Sequence, residues 1–317
     1  MVASAQPATA GTRAPSHVAQ LEIVPRRYWG RWIAAAVIVL FLLPVVQGFI
    51  TAENMKWDVV AEYLFAPAIL EGLRMTVLLT IVAMAVGIVL GIVLALMRTS
   101  ANPVLSSLSI AFIYVFRGIP LLVQLLFWYF LAAVFPVVGI GIPFGPTFIT
   151  FDTNVLIGQF TAAILGLGLS EAAYFCEIFR GGVLAVGRGQ VDAGTALGMR
   201  PFQIFRRIIL PQAMRIIVPA TGNQFIGMLK TTSLVLVIAL PELLTTIQGI
   251  YSRNLLQIPL LTVACFWYLI ATGVLSLIQH FVERHYAKGA WERPRRSRRR
   301  HADPSAVTAA VPTQELT

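Results

Sequence analysis

Six apolar stretches, near 32–50, 75–97, 108–135, 160–178, 216–240 and 256–281, are each long enough to cross a bilayer. A spanning helix needs about 20 mainly apolar residues. In lipid every backbone N–H and C=O must find its partner within the protein, which leaves only helices or closed barrels. No segment alternates as a membrane-barrel strand does. Strands are therefore not expected, and the fold class is an all-α polytopic membrane helix bundle of about six transmembrane helices. The composition agrees. Charged residues make up 12% of the 317 and hydrophobic ones 57%, whereas a soluble domain carries about 25% charged residues. The third and fifth stretches contain polar residues and are the least regular.

Orientation follows from the positive charges, which favour the cytoplasmic side. Arg26, Arg27 and Arg31 precede the first stretch, and Arg98 follows the second. Arg180, Arg188, Arg200, Arg206, Arg207 and Arg215 surround the connection after the fourth, and an arginine run ends at Arg300. With six spans these groups share one side, so both termini are expected in the cytoplasm of a multi-pass inner-membrane protein. The opposite side holds more acids than bases: Glu53, Asp58, Glu62, Glu71, Asp152 and Glu242 against Lys56, Arg74 and Arg253. A basic run can bind nucleic acid, but beside a span it marks anionic headgroups; the bilayer is the expected partner and nucleic acid is not. The apolar stretch at 32–50 is too long and too late for a cleaved signal peptide. The expected organisation is a disordered cytoplasmic tail over 1–30, an additional N-terminal helix over 31–56, a core over 57–285, and a basic disordered tail over 286–317. Cys176 and Cys265 read as small buried apolar residues.

The connection 187–211 is long and not low in complexity, and it reads as two short helices. Asp192 lies near the start of the first, favoured by the helix dipole. Ala193, Ala196 and Leu197 form a small apolar face, and Gly198 suits a left-handed C-terminal cap. Pro201 fits the first turn of the second helix. Phe202, Phe205, Ile208 and Ile209 share one of its faces, with Arg206 and Arg207 opposite, and Leu210-Pro211 is expected to stop it. Periodicity alone leaves two uses open: docking into a groove on another protein, or lying on the headgroups as an interfacial helix.

The spacing of this loop resembles the coupling motif of ABC importer permeases: Glu-Ala-Ala, three residues, Gly, nine residues, Ile, any residue, Leu-Pro. Here it runs Asp192-Ala193-Gly194, then Gly198, then Ile208 and Leu210-Pro211. Asp replaces Glu and Gly194 replaces Ala, which weakens the first helix by up to about 1 kcal/mol. Five segments resemble the polar amino acid permeases of the histidine/glutamine type: Phe116–Gln124, Glu177–Gly182, Gly189-Gln190, Leu210-Pro211-Gln212-Ala213 and Lys230–Leu234. The similarity covers roughly 57–285.

The resemblance implies a MetI-like five-helix ABC importer permease core with one added N-terminal helix. It implies an identical or sister permease subunit, ABC ATP-binding subunits docked at Asp192, Ala193, Gly194, Gly198, Ile208, Leu210 and Pro211, and an extracytoplasmic solute-binding protein. The implied activity is translocation of a polar amino acid or related small solute. The chain itself is not expected to be an enzyme or to hold a cofactor, ATP and Mg being bound by the partner subunit. A phosphate-binding loop needs a Gly-Lys-Ser/Thr sequence, and Lys230, the one lysine before a Thr, follows Leu229. An ion-coupled secondary transporter or channel is the alternative, although no repeat relates the two halves as in many such carriers; a membrane scaffold is a third reading.

Ionisable and polar residues within spans are candidate pathway groups. They are Arg117, Gln124, Glu171, Glu177, Arg180, Asn223 and Lys230. Arg117 either caps carbonyls freed at Pro120, the favoured reading because its motif persists across substrates in the family, or meets a substrate carboxylate. Glu177 and Arg180 are spaced to pair on one helix face. Asn223 and Lys230 are expected against carbonyls loosened by Pro219, Gly222 and Gly227. Glu171 lies outside the shared motifs, and two readings stay open: a cavity-facing carboxylate that favours a cationic solute, or a neutral acid bonded to a neighbouring helix. Gly87 and Gly91 form a small-xxx-small pair that admits a close helix neighbour.

Overall fold

The computed structural model describes residues 29–142 and 147–287. Two compact units divide the chain at Met55. The first consists of α1 (Trp29–Thr51) and a 3-10 turn, Glu53–Met55. Every side chain of α1 is exposed and the helix is apolar on all faces, the pattern of a helix whose solvent is lipid.

The second unit begins with α2 (Trp57–Leu64) and α3 (Pro67–Arg98), followed by α4 (Pro103–Gly118) and α5 (Leu121–Tyr129). A hairpin of β1 (Val137–Gly141) and β2 (Thr147–Asp152) leads through α6 (Thr153–Leu156) into α7 (Gln159–Leu184). Next come α8 (Arg188–Ala196), α9 (Pro201–Ile204) and α10 (Leu210–Thr231), then a 3-10 stretch, Thr232–Ile238, α11 (Leu243–Asn254) and α12 (Gln257–Ala287). Among the described residues four helices, α1, α3, α7 and α12, are long and apolar enough to cross a membrane. Two bent pairs raise the number to six if each pair is one span: α4 with α5, bent by 102°, and 201–238 with α11, bent by 48°.

The expected all-α bundle is found, with corrections. The third stretch is broken at Ile119-Pro120, because proline disfavours helical backbone in the residue before it and Ile119 is extended. Strands were not expected, yet β1 and β2 pair antiparallel. The residues of β2 are exposed on both faces, so the hairpin needs no apolar alternation to mark it. Cys265 is exposed, while Cys176 is buried. The described helices reach two residues into each of the two expected tails; the rest of both tails lies outside the described residues.

The centre of this unit is the contact of α3 with α7. Glycines set its closeness. A Cβ at Gly91 would come within 2.9 Å of the Ala172 carbonyl oxygen, and one at Gly168 within 2.9 Å of Val86 Cγ1. Around that seam Leu79, Met84, Leu125 and Leu167 are fully buried. In lipid such contacts gain by van der Waals packing and not by escaping water, so close approach matters more than apolar area. A second cluster joins α2, α3, α11 and α12 through Val60, Ile69, Leu243, Ile247 and Leu260. At its edge the Trp267 indole N–H donates to the Leu64 carbonyl at 2.8 Å.

Candidate functional site

A cavity of about 480 Å³ opens between the α4–α5 break, α7 and α10. Its polar lining comprises Arg117, Ser170, Glu171, Tyr174, Gln224 and Thr231. Glu171 is 4% exposed, and the Gln224 side-chain amide donates to its two oxygens at 3.2 and 3.4 Å. The Arg117 guanidinium lies over the Tyr174 ring, 5.1 Å from its centroid, a cation–π arrangement. One acid and one base therefore line the same chamber, on different helices.

The helix break that shapes the chamber is closed by Gln124. Its Nε2 donates to the carbonyls of Phe116 and Ile119, both at 2.9 Å. These are the carbonyls that Pro120 and the bend leave without helical partners. Arg117 does not perform that role, so the favoured expectation for it is corrected: being charged and longer, it reaches the Tyr174 ring instead. The Gln124 Oε1 is buried with no partner among the described residues.

Glu177 and Arg180 form the expected pair at 2.7 Å. Arg98, at the end of α3, adds a second contact to Glu177 at 3.3 Å. The cluster thus ties α3 to α7, which periodicity along one helix cannot foresee. Asn223 and Lys230 are exposed on α10, and no carbonyl among the described residues receives their side chains. The expectation that they bind loosened carbonyls is overturned. Gly222 is occupied differently: a Cβ there would overlap the Gln279 amide, whose Nε2 donates to the Pro219 carbonyl at 3.0 Å.

In the connection 187–211 the cap is as expected. Gly198 has φ of 72°. The Met199 N–H donates to the Gly194 carbonyl at 3.1 Å and the Gly198 N–H to Thr195 at 2.9 Å, which is a Schellman motif. Ala193, Leu197 and Phe202 are exposed. Gly194 is buried, and a Cβ there would approach Ile204 Cγ1 to 3.0 Å. Its small size serves the contact between α8 and the following turn.

Two readings of this loop change. Asp192 is the fifth residue of α8, not in its first turn. Leu210-Pro211 does not stop the second helix. After α9 a π-helical turn, Phe205–Ile209, shifts the hydrogen-bond register and α10 continues to Thr231. Pro211 sits in the first turn of α10, where no amide is required. The Gln212 Nε2 takes the Ile208 carbonyl at 3.0 Å.

Residues 87–288 match the family described as binding-protein-dependent transport system inner membrane component. The chain belongs to the ABC importer permease family. Relatives narrow its branch. It is 42% identical over 274 residues to the arginine transport system permease protein ArgU of Corynebacterium glutamicum, covering 85% of this chain and 84% of that one. It is 34% identical over 230 residues to the glutamine transport system permease protein GlnP of Escherichia coli, with 73% and 98% covered. A crystal structure of an amino acid ABC transporter with histidines superposes with a TM-score of 0.61 at 33% identity, covering 71% of this permease and 97% of that chain.

This protein is therefore an amino acid ABC importer permease subunit, a multi-pass membrane component and not an enzyme. The alternative of an ion-coupled carrier or channel is set aside. Two site residues escaped sequence reading. Gln224 sits next to Asn223, but adjacent helical positions point about 100° apart, so only one of the two reaches Glu171. Arg98 looked like an orientation signal alone.

Proposed function

We propose that this permease translocates an amino acid with a cationic side chain, the cavity at Glu171 forming part of its path. The observation that carries the reading is the Glu171 carboxylate itself. It is the sole acid among the described residues lining the chamber, and its side-chain partner is the neutral amide of Gln224. A buried carboxylate with so little compensation is costly, and a cationic solute offsets that cost during transit. Arg117 supplies the complementary charge for an α-carboxylate. The resemblance to an arginine permease points the same way.

In this reading both termini are cytoplasmic. ATP-binding subunits dock on Asp192, Ala193, Gly194 and Gly198, with Ile208, Leu210 and Pro211 carrying the motion into α10. A second permease subunit completes the path, and a solute-binding protein delivers the substrate from outside. The exposed face of Ala193 and Leu197, on the helix that ends at the Gly198 cap, supports docking. The test is Glu171→Gln in the reconstituted importer, with L-arginine and its neutral isostere L-citrulline as competing solutes. Loss of one charge-assisted hydrogen bond lowers the preference for arginine by roughly ten-fold or more. An unchanged preference refutes the role of Glu171, and the neutral, amide-bonded acid then stands.

A further inference from the structure

We infer that Gly87 of α3 is a specificity-positioning residue of the cavity: its missing side chain is the notch that seats the stem of Glu171 and fixes where the carboxylate opens. The inference rests on the reading of Glu171 given above. Gly87 is buried in the middle of a 32-residue helix, where glycine is an unfavourable choice. A Cβ at this position would come within 2.6 Å of Glu171 Cγ, 2.7 Å of its Cβ and 3.3 Å of its carbonyl carbon. Carbon atoms in good contact are about 3.5–4.0 Å apart.

Which atoms are met decides the consequence. They are the first atoms of the side chain, not its flexible end. The Cβ moves only if the backbone of α7 moves, and the Cγ moves only by a change of χ1. Helices disfavour one of the three χ1 wells, so the remaining choice swings the carboxylate about 120° around the Cα–Cβ bond, away from Gln224. The stem is thus held by α3 and the head by α10 at 3.2 Å.

Other close glycines of α3 and α7 behave differently. Gly91, four residues on, faces Ala172 and Phe175, and Gly168 faces Val86; none of these three neighbours lines the chamber. Gly166 faces Leu125, an apolar residue that also lies outside the lining. Of these four, Gly87 alone touches a polar residue of the cavity, and this separates positioning from plain packing.

The experiment compares Gly87→Ala with Gly91→Ala in the complete importer, reading the ratio of L-arginine to L-citrulline transport alongside thermal stability. Both variants lose stability. Gly87→Ala also lowers the arginine preference by roughly ten-fold, whereas Gly91→Ala leaves the ratio within two-fold, on the order of assay error. A folded Gly87→Ala with the wild-type ratio overturns the inference. Equal loss of preference in Gly91→Ala overturns it too, since packing alone would then explain the effect.

If Gly87→Ala does not accumulate, Glu171→Asp carries the test. It keeps the charge and the notch but shortens the stem, withdrawing the carboxylate to where the Cγ stood, so the arginine preference falls as far as in Glu171→Gln. Retained preference in Glu171→Asp overturns the positioning role. Collapse in Glu171→Gln with retention in Gly87→Ala or Glu171→Asp leaves the cationic-substrate reading intact and removes only Gly87. Retention in Glu171→Gln removes the reading itself.

Discussion

Glu171 and Glu242 are both buried glutamates set among packed helices, but Glu242 is saturated and Glu171 is not. Glu242 caps the start of α11 and is fully buried. One oxygen accepts from the Thr245 N–H at 2.8 Å and the Thr245 hydroxyl at 3.0 Å, and the other from Thr76 and Tyr268 hydroxyls at 3.1 Å. Four donors from α3, α11 and α12 converge on it, and the helix dipole favours its charge. Glu171 has one neutral donor, at longer distance, and a chamber in front of it. A carboxylate that the protein fully satisfies is a fastener between helices. One that is left with spare acceptor capacity facing a cavity is available to a ligand.

Breaking the saturated site should be the most damaging change. Glu242→Ala leaves one buried and three partly buried donors without their acceptor and removes an N-cap, and should cost on the order of 3–5 kcal/mol. The variant is expected to fail to accumulate or to melt far below wild type in detergent. A wild-type melting temperature would erase the distinction between the two glutamates. Tyr268→Phe removes one donor of the four and leaves the rest, so a loss of about 1 kcal/mol is expected, read from the same melting curve. Smallest of all should be Gln224→Leu. It deprives Glu171 of a long bond and should change stability by under about 1 kcal/mol, while binding of arginine relative to citrulline rises because the carboxylate is no longer shared. A large stability loss in Gln224→Leu would mean that Glu171 is a fastener too.

The sequence revealed these two residues unequally. Glu171 stood out because charge inside an apolar run is conspicuous. Glu242 did not: beside Pro241 at the end of a span it looked like one acid of a polar connection, and its burial depends on Thr76 and Tyr268, 166 and 26 residues away. The apolar runs gave the helices, and the Gly198 cap was legible because a single left-handed turn is a local matter. The 102° bend at Ile119-Pro120 was half legible. Proline announced a break, but its angle and its closure by Gln124 depend on tertiary packing. The notch at Gly87 needed both helices in register, which no single window of sequence contains.

The π-helical turn Phe205–Ile209 has a consequence far from itself. It joins α9 to α10 without an interruption, so the connection and the chamber wall belong to one rod. With about 1.5 Å of rise per residue, Leu210 and Gln224 stand roughly 20 Å apart along that rod. Adding or deleting one residue between Leu210 and Gln224 would therefore not be absorbed as slack. It would twist the downstream rod by about 100°, and the amide of Gln224 would face another quarter of the bundle. Between relatives of this protein, insertions should cluster ahead of Pro201 and be absent between Leu210 and Gln224.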